Sequence, residues 1–156
     1  MLECWNAGMG NATARHLLVL EILRIGSTAH DWRMRQHDRD ILKRTTAFAV
    51  RVIRMVNVLP RRTASIEIGR QLVRSAGSIG AHCREARRAR SIAEFKSKLA
   101  VAQQEAEETA YWLQLIADSD MLPAARLASL RDEIDQLLAI LIAAERTAAS
   151  RRSVAD

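Results

Sequence analysis

Apolar residues recur at steps of three and four residues in four successive segments, and this spacing constrains the fold more than any other feature. Such steps place side chains on one face of an α-helix. The predicted helices run from about Asp38 to Val58, from Ala64 to Arg88, from Ser91 to Asp118, and onward from near Pro123. Because the breaks are short, successive helices should be antiparallel neighbours. The chain is therefore predicted to be all-α, an antiparallel up-down-up-down four-helix bundle.

The residues that share these helix faces form the predicted core. They are, helix by helix, Ile41, Phe48, Val52, Met55 and Leu59; Ile68, Leu72, Ala76, Ile79 and Cys83; Phe95, Leu99, Ala102, Ala106, Ala110 or Thr109, Leu113 and Ile116 or Ala117; and Leu127, Leu130, Ile134, Leu137, Leu138 and Leu141. Pro60 is expected to end the first helix, since proline cannot continue one. Ser91 and Glu94 form a capping box that starts the third helix.

Three glycines, Gly69, Gly77 and Gly80, lie inside the second predicted helix. Each costs roughly 1 kcal/mol in helix propensity relative to alanine. Glycines of this kind either mark the close approach of a neighbouring helix or are merely tolerated. The sequence leaves both explanations open.

The length of the chain, 156 residues, fits one domain. We assign the bundle to residues 37–148 and a C-terminal tail to residues 149–156. Residues 1–36 are predicted to be an N-terminal extension, loosely ordered or containing one short helix. Its apolar stretch, Leu17–Ile25, is charged and too short to span a bilayer, and it does not resemble a signal peptide.

The two cysteines, Cys4 and Cys83, belong to no paired or Cys/His motif. Neither a disulfide framework nor a zinc site is therefore indicated. A reducing cytoplasm is the expected compartment, with no membrane partner.

Charge is strongly polarised along the chain. From Arg33 to Lys98 there are 17 Lys and Arg against five Asp and Glu, a net charge of +12. From Gln103 to Glu145 there are two against nine, a net charge of −7. A protein of this kind has one region suited to a polyanion, and nucleic acid is the first partner to consider.

The cations of the basic block are the candidate nucleic-acid-binding residues. They are Lys43, Arg44, Arg51, Arg54, Arg61, Arg62, Arg70, Arg74, Arg84, Arg87, Arg88, Arg90, Lys96 and Lys98. Arginine predominates, and its guanidinium suits bidentate contact with phosphate. The alternative is a solvated charged face without a ligand. Since no aromatic residues interleave with these cations, recognition should be of backbone and shape.

The sequence contains no P-loop, no GxGxxG and no GxSxG motif, so no catalytic residue and no cofactor are predicted. An enzyme would have to use His82, Glu85, Glu105 and Glu108 around a metal. The His-x-x-Glu order is the reverse of the Glu-x-x-His pairs of di-iron bundles, and no second pair exists. We interpret these four residues as a partly buried polar network tied to an arginine such as Arg74, and we predict no metal.

Apolar residues beside the main stripes predict that the bundle assembles with copies of itself. They are Val73, Ile92, Trp112, Leu115, Leu138 and Ile142. Helices that are apolar on more than one face are usually buried on more than one face. We therefore predict a homo-oligomer with Trp112 at or near the subunit contact, and we interpret Tyr111 and Trp112 as packing residues.

Three motifs, in order, resemble a known family. The segments Ser78–Ser91, Glu94–Leu99 and Gln104–Leu113 are similar to the runs S-I-x-A-N-Y-R-E-A, F-x-x-K-L and K-E-A-x-E-T-x-Y-W-L. These runs are typical of small bacterial four-helix-bundle proteins first noticed as open reading frames in 23S rRNA intervening sequences. The accessory proteins of diversity-generating retroelements look like relatives of them.

The resemblance covers roughly Asp38 to Thr147. It implies a left-handed antiparallel bundle that assembles into a ring, commonly a pentamer, and it implies no enzyme activity. The retroelement relatives bind RNA and a reverse transcriptase through basic surfaces. The chain departs from the typical runs where His82 replaces Asn, Cys83 replaces an aromatic residue and Gln104 replaces Lys.

The leading hypothesis is a non-enzymatic, oligomeric, cytoplasmic accessory protein that binds structured RNA, or DNA, through its arginine-rich surface. The alternative is a protein-interaction scaffold, or an accessory subunit for a protein partner such as a reverse transcriptase. In that alternative the acidic stretch Glu105–Asp120 pairs with the basic block between subunits, and nucleic acid binds poorly.

Overall fold

The computed structural model describes residues 36–152, with side chains for residues 41–148. Four α-helices follow one another, α1 (Gln36–Val56), α2 (Thr63–Arg87), α3 (Ile92–Asp118) and α4 (Ala124–Arg152), and the described residues contain no strand. The predicted all-α four-helix bundle is confirmed. The predicted N-terminal extension lies outside the described residues except for Gln36, and so do residues 153–156 of the predicted tail.

Neighbouring helices run antiparallel and meet along four seams, a seam being the line of contact between two adjacent helices. Across the α2–α3 seam the hydroxyl oxygens of Thr109 and Ser75 lie 2.9 Å apart, within hydrogen-bond distance. Across the α3–α4 seam Gln103 Nε2 donates to Glu145 Oε2 at 2.9 Å. The α1–α4 seam is the smallest of the four. No described helix is both long enough and apolar enough to cross a bilayer.

The core lies between the four predicted apolar stripes. Nearly all of the predicted core residues are buried, and Ile68 and Leu138 are half-buried. Where the sequence left two choices on α3, Thr109 and Ile116 are the fully buried residues. The hydroxyl of Thr109 is satisfied by the backbone carbonyl of Glu105 at 2.7 Å and by Ser75, so its burial leaves no unpaired polar group.

The helix α1 ends two residues before its predicted boundary at Val58. The backbone N–H groups of Val58 and Leu59 bond to carbonyls three residues back, on Met55 and Val56. These tighter turns close the helix before Pro60 is reached, which is common at helix ends.

The helices α2 and α3 begin differently. The hydroxyl of Ser91, the N-cap residue of α3, accepts from Glu94 N at 3.1 Å, as the predicted capping box requires. The Glu94 carboxylate accepts from the backbone N–H of Arg90 at 2.8 Å, one residue ahead of the position usual in a capping box. The N-cap residue of α2, Arg62, makes no side-chain cap, and the first turn of α2 has no acidic residue.

The turn between α3 and α4 is a Schellman motif built on Asp120. The backbone N–H of Met121 bonds to the carbonyl of Ile116 and that of Asp120 to the carbonyl of Ala117, each at 3.1 Å. Asp120 has a φ of 52°, the left-handed conformation that this motif needs and that glycine usually supplies.

The three glycines of α2 differ in what surrounds them. A Cβ on Gly69 would lie 2.8 Å from Val56 Cγ1, and a Cβ on Gly80 would lie 3.2 Å from the hydroxyl oxygen of buried Thr45. Gly77 faces open space. Close approach of α1 therefore explains Gly69 and Gly80, whereas Gly77 is tolerated.

Cys83 lies fully buried in the core. Burial raises the pKa of its thiol to about 12, a shift that the nearby Arg84 guanidinium opposes. The thiol is therefore neutral and acts as a small apolar group.

Candidate nucleic-acid interface

The fourteen predicted cations divide by what their side chains contact. Seven make a side-chain hydrogen bond or ion pair within the chain, namely Arg44, Arg51, Arg70, Arg74, Arg84, Arg90 and Lys98. The other seven make none with any described residue, namely Lys43, Arg54, Arg61, Arg62, Arg87, Arg88 and Lys96. Sequence reasoning treated all fourteen as equivalent, and the structure separates them.

Two of the paired arginines fasten the α1–α4 seam. Arg44 Nε donates to Glu133 Oε1 at 2.5 Å and its Nη2 donates to Gln136 Oε1 at 2.6 Å. Arg51 Nη2 donates to the carbonyl and the hydroxyl oxygen of Ser129, at 3.2 and 3.0 Å. Sequence reasoning missed these three residues of α4 as partners. Glu133 and Gln136 lie three residues apart and so share a helix face. That spacing does not identify Arg44 as their partner, because the pairing depends on the register of α1 against α4.

Arg74 serves the α2–α3 seam in the same way. Its Nη2 lies 2.6 Å from Glu108 Oε1, its Nη1 lies 3.7 Å from Glu105 Oε1, and its Nε donates to Gln71. Trp112 Nε1 donates to the same Glu108 oxygen at 3.0 Å. The Trp112 hydrogen bond, and after it the Arg74 guanidinium, lower the pKa of Glu108. Glu105 Oε2 is buried without a hydrogen-bond partner.

The remaining two residues of the predicted polar network lie about 16 Å farther along α2, estimated from eleven residues of helix rise. Glu85 Oε2 lies 2.7 Å from Lys98 Nζ and 3.3 Å from His82 Nδ1. The Lys98 hydrogen bond lowers the pKa of Glu85, and the same contact raises the pKa of Lys98. The predicted network thus consists of two separate groups. Over the described residues, no cluster of three or more His, Cys, Asp and Glu side chains is arranged to hold a metal.

Two further paired arginines remain partly accessible. Arg84 lies along the α1–α2 seam, where its guanidinium donates to the Gly80 carbonyl and to the Thr46 hydroxyl, both at 2.8 Å. Arg70 pairs with Glu67 at 3.0 Å, and their side chains are 71% and 59% exposed. An exposed ion pair of this kind adds little stability and holds its arginine weakly.

The cations at the turn between α2 and α3 differ from the seam arginines, because they are exposed and mostly unpaired. Arg87 and Arg88 are exposed and have no partner among the described residues, and the Arg90 side chain is 90% exposed. Ala89, between them, is only 3% exposed, so it anchors the turn in the core while its neighbours face solvent. We call Arg87, Arg88, Arg90 and nearby Lys96 the turn cluster.

Arg54, Arg61 and Arg62 lie at the other end of the bundle, at the turn between α1 and α2. They are exposed and lack a partner among the described residues. Since α2 has 25 residues, the two ends are about 37 Å apart at 1.5 Å per residue. The unpaired cations thus collect mostly at the two turns, and the paired ones lie mostly along the walls.

The aromatic pair on α3 lies apart from the turn cluster. Tyr111 and Trp112 contact each other edge to face, with ring centroids 5.0 Å apart and planes at 61°. Trp112 is half-buried, as a packing residue should be, but Tyr111 is 57% exposed. The packing interpretation therefore holds within the chain for Trp112 and not for Tyr111.

The apolar residues predicted at a subunit contact are all half-buried within the single chain. Among the described side chains, the most exposed large aliphatic ones are instead Val58, Ile66, Ile53 and Val50, at 51%, 47%, 44% and 39%. All four lie on α1, on α2 or on the turn between them. Sequence reasoning missed them because the apolar residues that it considered beside the main stripes lie mostly on α3 and α4. Assembly itself stays a prediction.

Comparisons with known proteins agree on the fold. A family model described as 23S rRNA-intervening sequence protein matches residues 37–143, well over half of the chain. The chain is also similar to a crystal structure of a protein of unknown function from the S23 ribosomal protein family of Bacteroides thetaiotaomicron. The identity is 31%, the TM-score is 0.66, and the match covers 71% of this chain and 99% of that one. No curated protein matches the chain.

Proposed function

Because the chain belongs to the family of 23S rRNA-intervening sequence proteins, we propose that it is a non-enzymatic, cytoplasmic accessory protein that binds structured RNA through the turn cluster. The observation that carries this proposal is the convergence of Arg87, Arg88 and Arg90 on one turn. Among the described residues the only carboxylate that pairs with them is Glu94, which lies 3.3 Å from Arg90. Phosphate groups would supply the missing acceptors.

The surroundings of the turn cluster favour a polyanion over a protein ligand. The described aliphatic side chains that are most exposed lie toward the α1–α2 turn, and none belongs to the turn cluster. A surface with dense positive charge and little apolar area gains most from counterion release, which is the main contribution to binding phosphate backbones.

The expected ligand is duplex or folded RNA. Single strands are usually bound on aromatic side chains that stack with bases, and the turn cluster contains only arginine and lysine. Duplex RNA is recognised by its shape and its phosphates, which needs no such platform. The affinity for duplex RNA should be compared directly with the affinity for duplex DNA of the same length.

Assembly is part of the proposal. A homo-oligomer, a ring such as a pentamer by family likeness, would repeat the turn cluster around a symmetry axis. Repetition raises apparent affinity without any new contact. Light scattering of the full chain, whose mass is 17.5 kDa, should give a multiple of that mass, and a monomer would remove the oligomer from the proposal.

Filter binding of a 20-base-pair RNA duplex at two salt concentrations tests the nucleic-acid part. Affinity should fall steeply with salt because bound counterions are released. The triple variant Arg87→Ala, Arg88→Ala and Arg90→Ala should bind roughly 100-fold more weakly, with a shallower salt dependence. Arg126→Ala, an exposed arginine at the start of α4, is the matched control and should change nothing. Salt-independent binding, or equal effects of the two variants, would contradict the proposal.

A further inference from the structure

An open groove of ≈ 580 Å³ lies beside the α1–α2 turn. Its lining on α2 reaches Arg74, which is about 20 Å of helix rise from Arg87 of the turn cluster. Its lining includes Val56, Leu59, Ile66, Gly69 and Val73. Gly69 has two effects here, since it lets α1 approach to within contact of α2 and leaves the groove unfilled where a side chain would project. A Cβ at this position would lie 2.8 Å from Val56 Cγ1.

Exposed apolar side chains continue the groove along α1. Val50, Ile53 and Asn57 are spaced i, i+3 and i+7 and therefore lie on one helix face, and Asn57 lines the groove. Ile53 is 44% exposed and Ile66, which lines the groove on α2, is 47% exposed. From residue 50 to residue 56, where α1 ends, the helix rise gives a length of about 9 Å, and the groove continues beyond it to Leu59. An apolar strip of this length suits the i, i+4 and i+7 anchors of one docked helix, which span about 10.5 Å.

The rim of the groove is basic. Arg61 lines it without a partner among the described residues. Arg70 and Arg74 also line it but pair with Glu67 and Glu108, and no Asp or Glu belongs to the described lining. Arg54 and Arg62 are exposed nearby and have no partner among the described residues. The N-terminus of α2 adds the positive end of a helix dipole, and the first turn of α2 has no acidic residue to offset it.

We propose that this groove binds an amphipathic α-helix of a protein partner whose apolar face is flanked by Asp and Glu. The apolar lining excludes a phosphate backbone as the fitting ligand, since phosphates would leave that lining uncovered. The basic rim complements acidic flanks, and the concave surface suits a convex helix. This inference uses a different end of the bundle and does not depend on RNA binding.

Fluorescence anisotropy with a designed probe tests the groove. The probe is an 18-residue fluorescein-labelled helical peptide with Leu at i, i+4, i+7 and i+11 and Glu on both flanks. A control peptide carries Lys at every Glu position. The full-length protein should bind the acidic peptide at least tenfold more tightly than the basic one.

Variants locate the binding surface. The double variant Ile53→Ser and Ile66→Ser should weaken the acidic peptide at least tenfold, while Tyr111→Ser, which removes an exposed large side chain outside the groove, should have no effect. Arg61→Glu should weaken the acidic peptide and strengthen the basic one. Arg88→Glu should leave peptide binding unchanged and weaken RNA binding, so that failure of one proposal is distinguishable from failure of the other. Circular dichroism checks that every variant is folded.

Three outcomes would overturn the inference. The first is equal binding of the two peptides. The second is a loss of peptide affinity in Tyr111→Ser that is as large as the loss in the groove variant. The third concerns mass. If the groove variant lowers the mass in light scattering, a second copy of this chain covers the groove, and the partner helix is not its occupant.

Discussion

Arg44 and Arg88 belong to the same basic block of the sequence, yet the structure uses them in opposite ways. At the α1–α4 seam the guanidinium of Arg44 is held by Glu133 and Gln136, at 2.5 and 2.6 Å. At the α2–α3 turn the guanidinium of Arg88 makes no hydrogen bond or ion pair with any described residue. The difference is whether a neighbouring helix presents an acceptor, and local charge density does not reveal it.

The arrangement of the helices also changes what the charge polarisation along the chain implies. A basic first half and an acidic second half read as a surface for polyanions. In the bundle, however, basic α1 lies beside the acidic residues of α4, and basic α2 lies beside acidic α3, so that Arg44 meets Glu133 and Arg74 meets Glu108. Part of the polarisation is therefore neutralised along the seams. Binding capacity concentrates where the helices end and no helix lies opposite.

The largest expected effect is on RNA affinity. The triple alanine variant of Arg87, Arg88 and Arg90 should lose roughly 100-fold in affinity, because three phosphate contacts are removed, and its thermal midpoint should not change. The double variant Arg44→Ala and Arg51→Ala should keep affinity within about threefold. Filter binding and thermal melts of both variants measure this. If the seam variant loses as much affinity as the turn variant, the distinction between the two regions does not hold.

The second effect is on stability and has the opposite pattern. Arg44→Ala should cost about 2 kcal/mol of unfolding free energy, because Glu133 and Gln136 lose the charged partner of a partly buried contact. The side chains of Arg44 and Glu133 are 29% and 20% exposed, so solvent replaces the lost contact poorly. Urea unfolding measures the loss. The double variant with Glu133→Ala should show coupling, and strictly additive losses would mean that the pair does not stabilise the seam.

The third effect tests the boundary between seam and turn at Arg84. Gly77→Ala should stabilise the protein by up to about 1 kcal/mol, because the site is open and alanine favours helix. Gly80→Ala should lose that gain, since its Cβ would lie 3.1 Å from Arg84 Nη1 and 3.2 Å from the oxygen of buried Thr45. Arg84 would swing out, and RNA affinity should rise slightly. Equal stabilities of the two variants in urea would contradict this account of the α1–α2 seam.

The smallest effect is a pH dependence at the α2–α3 seam. Hydrogen bonds from Trp112 and Arg74 lower the pKa of Glu108 from its ordinary value of 4.5. A lowered folded-state pKa gives stability that is present above pH 4.5 and is lost as the pH falls through the lowered value. Glu108→Gln should therefore lose less stability than the wild type between pH 6 and pH 3, measured as urea midpoints. A steeper loss of stability in the variant than in the wild type would contradict a lowered pKa of Glu108.

The fold was predictable from the sequence because helix faces are set by local spacing. The stripe Leu72, Ala76 and Ile79 is fully buried as predicted, and Ser91 caps Glu94 as its motif requires. These features depend on residues three or four positions apart.

The site was predictable only in part. Sequence reasoning named the residues of the turn cluster among its fourteen cations but did not separate them from the paired ones, although arginines on both sides of a break have no helix opposite them. The pairing of Arg44 with Glu133 depends on two residues 89 positions apart, and local patterns do not fix the rotation of α1 against α4. The groove was not predicted because it also depends on a contact between helices, formed where Gly69 lets Val56 pack against α2.

The thin α1–α4 seam sets the order in which the bundle comes apart. Because α2, α3 and α4 share larger surfaces and short turns, they form the more cohesive unit, and α1 closes the bundle through contacts 89 and 92 positions apart. Subglobal opening should therefore begin with α1, whose amide hydrogens should exchange earliest. Such an opening removes one wall of the groove and leaves the turn cluster intact. The groove should therefore be disrupted more often than the end of the bundle that carries the turn cluster.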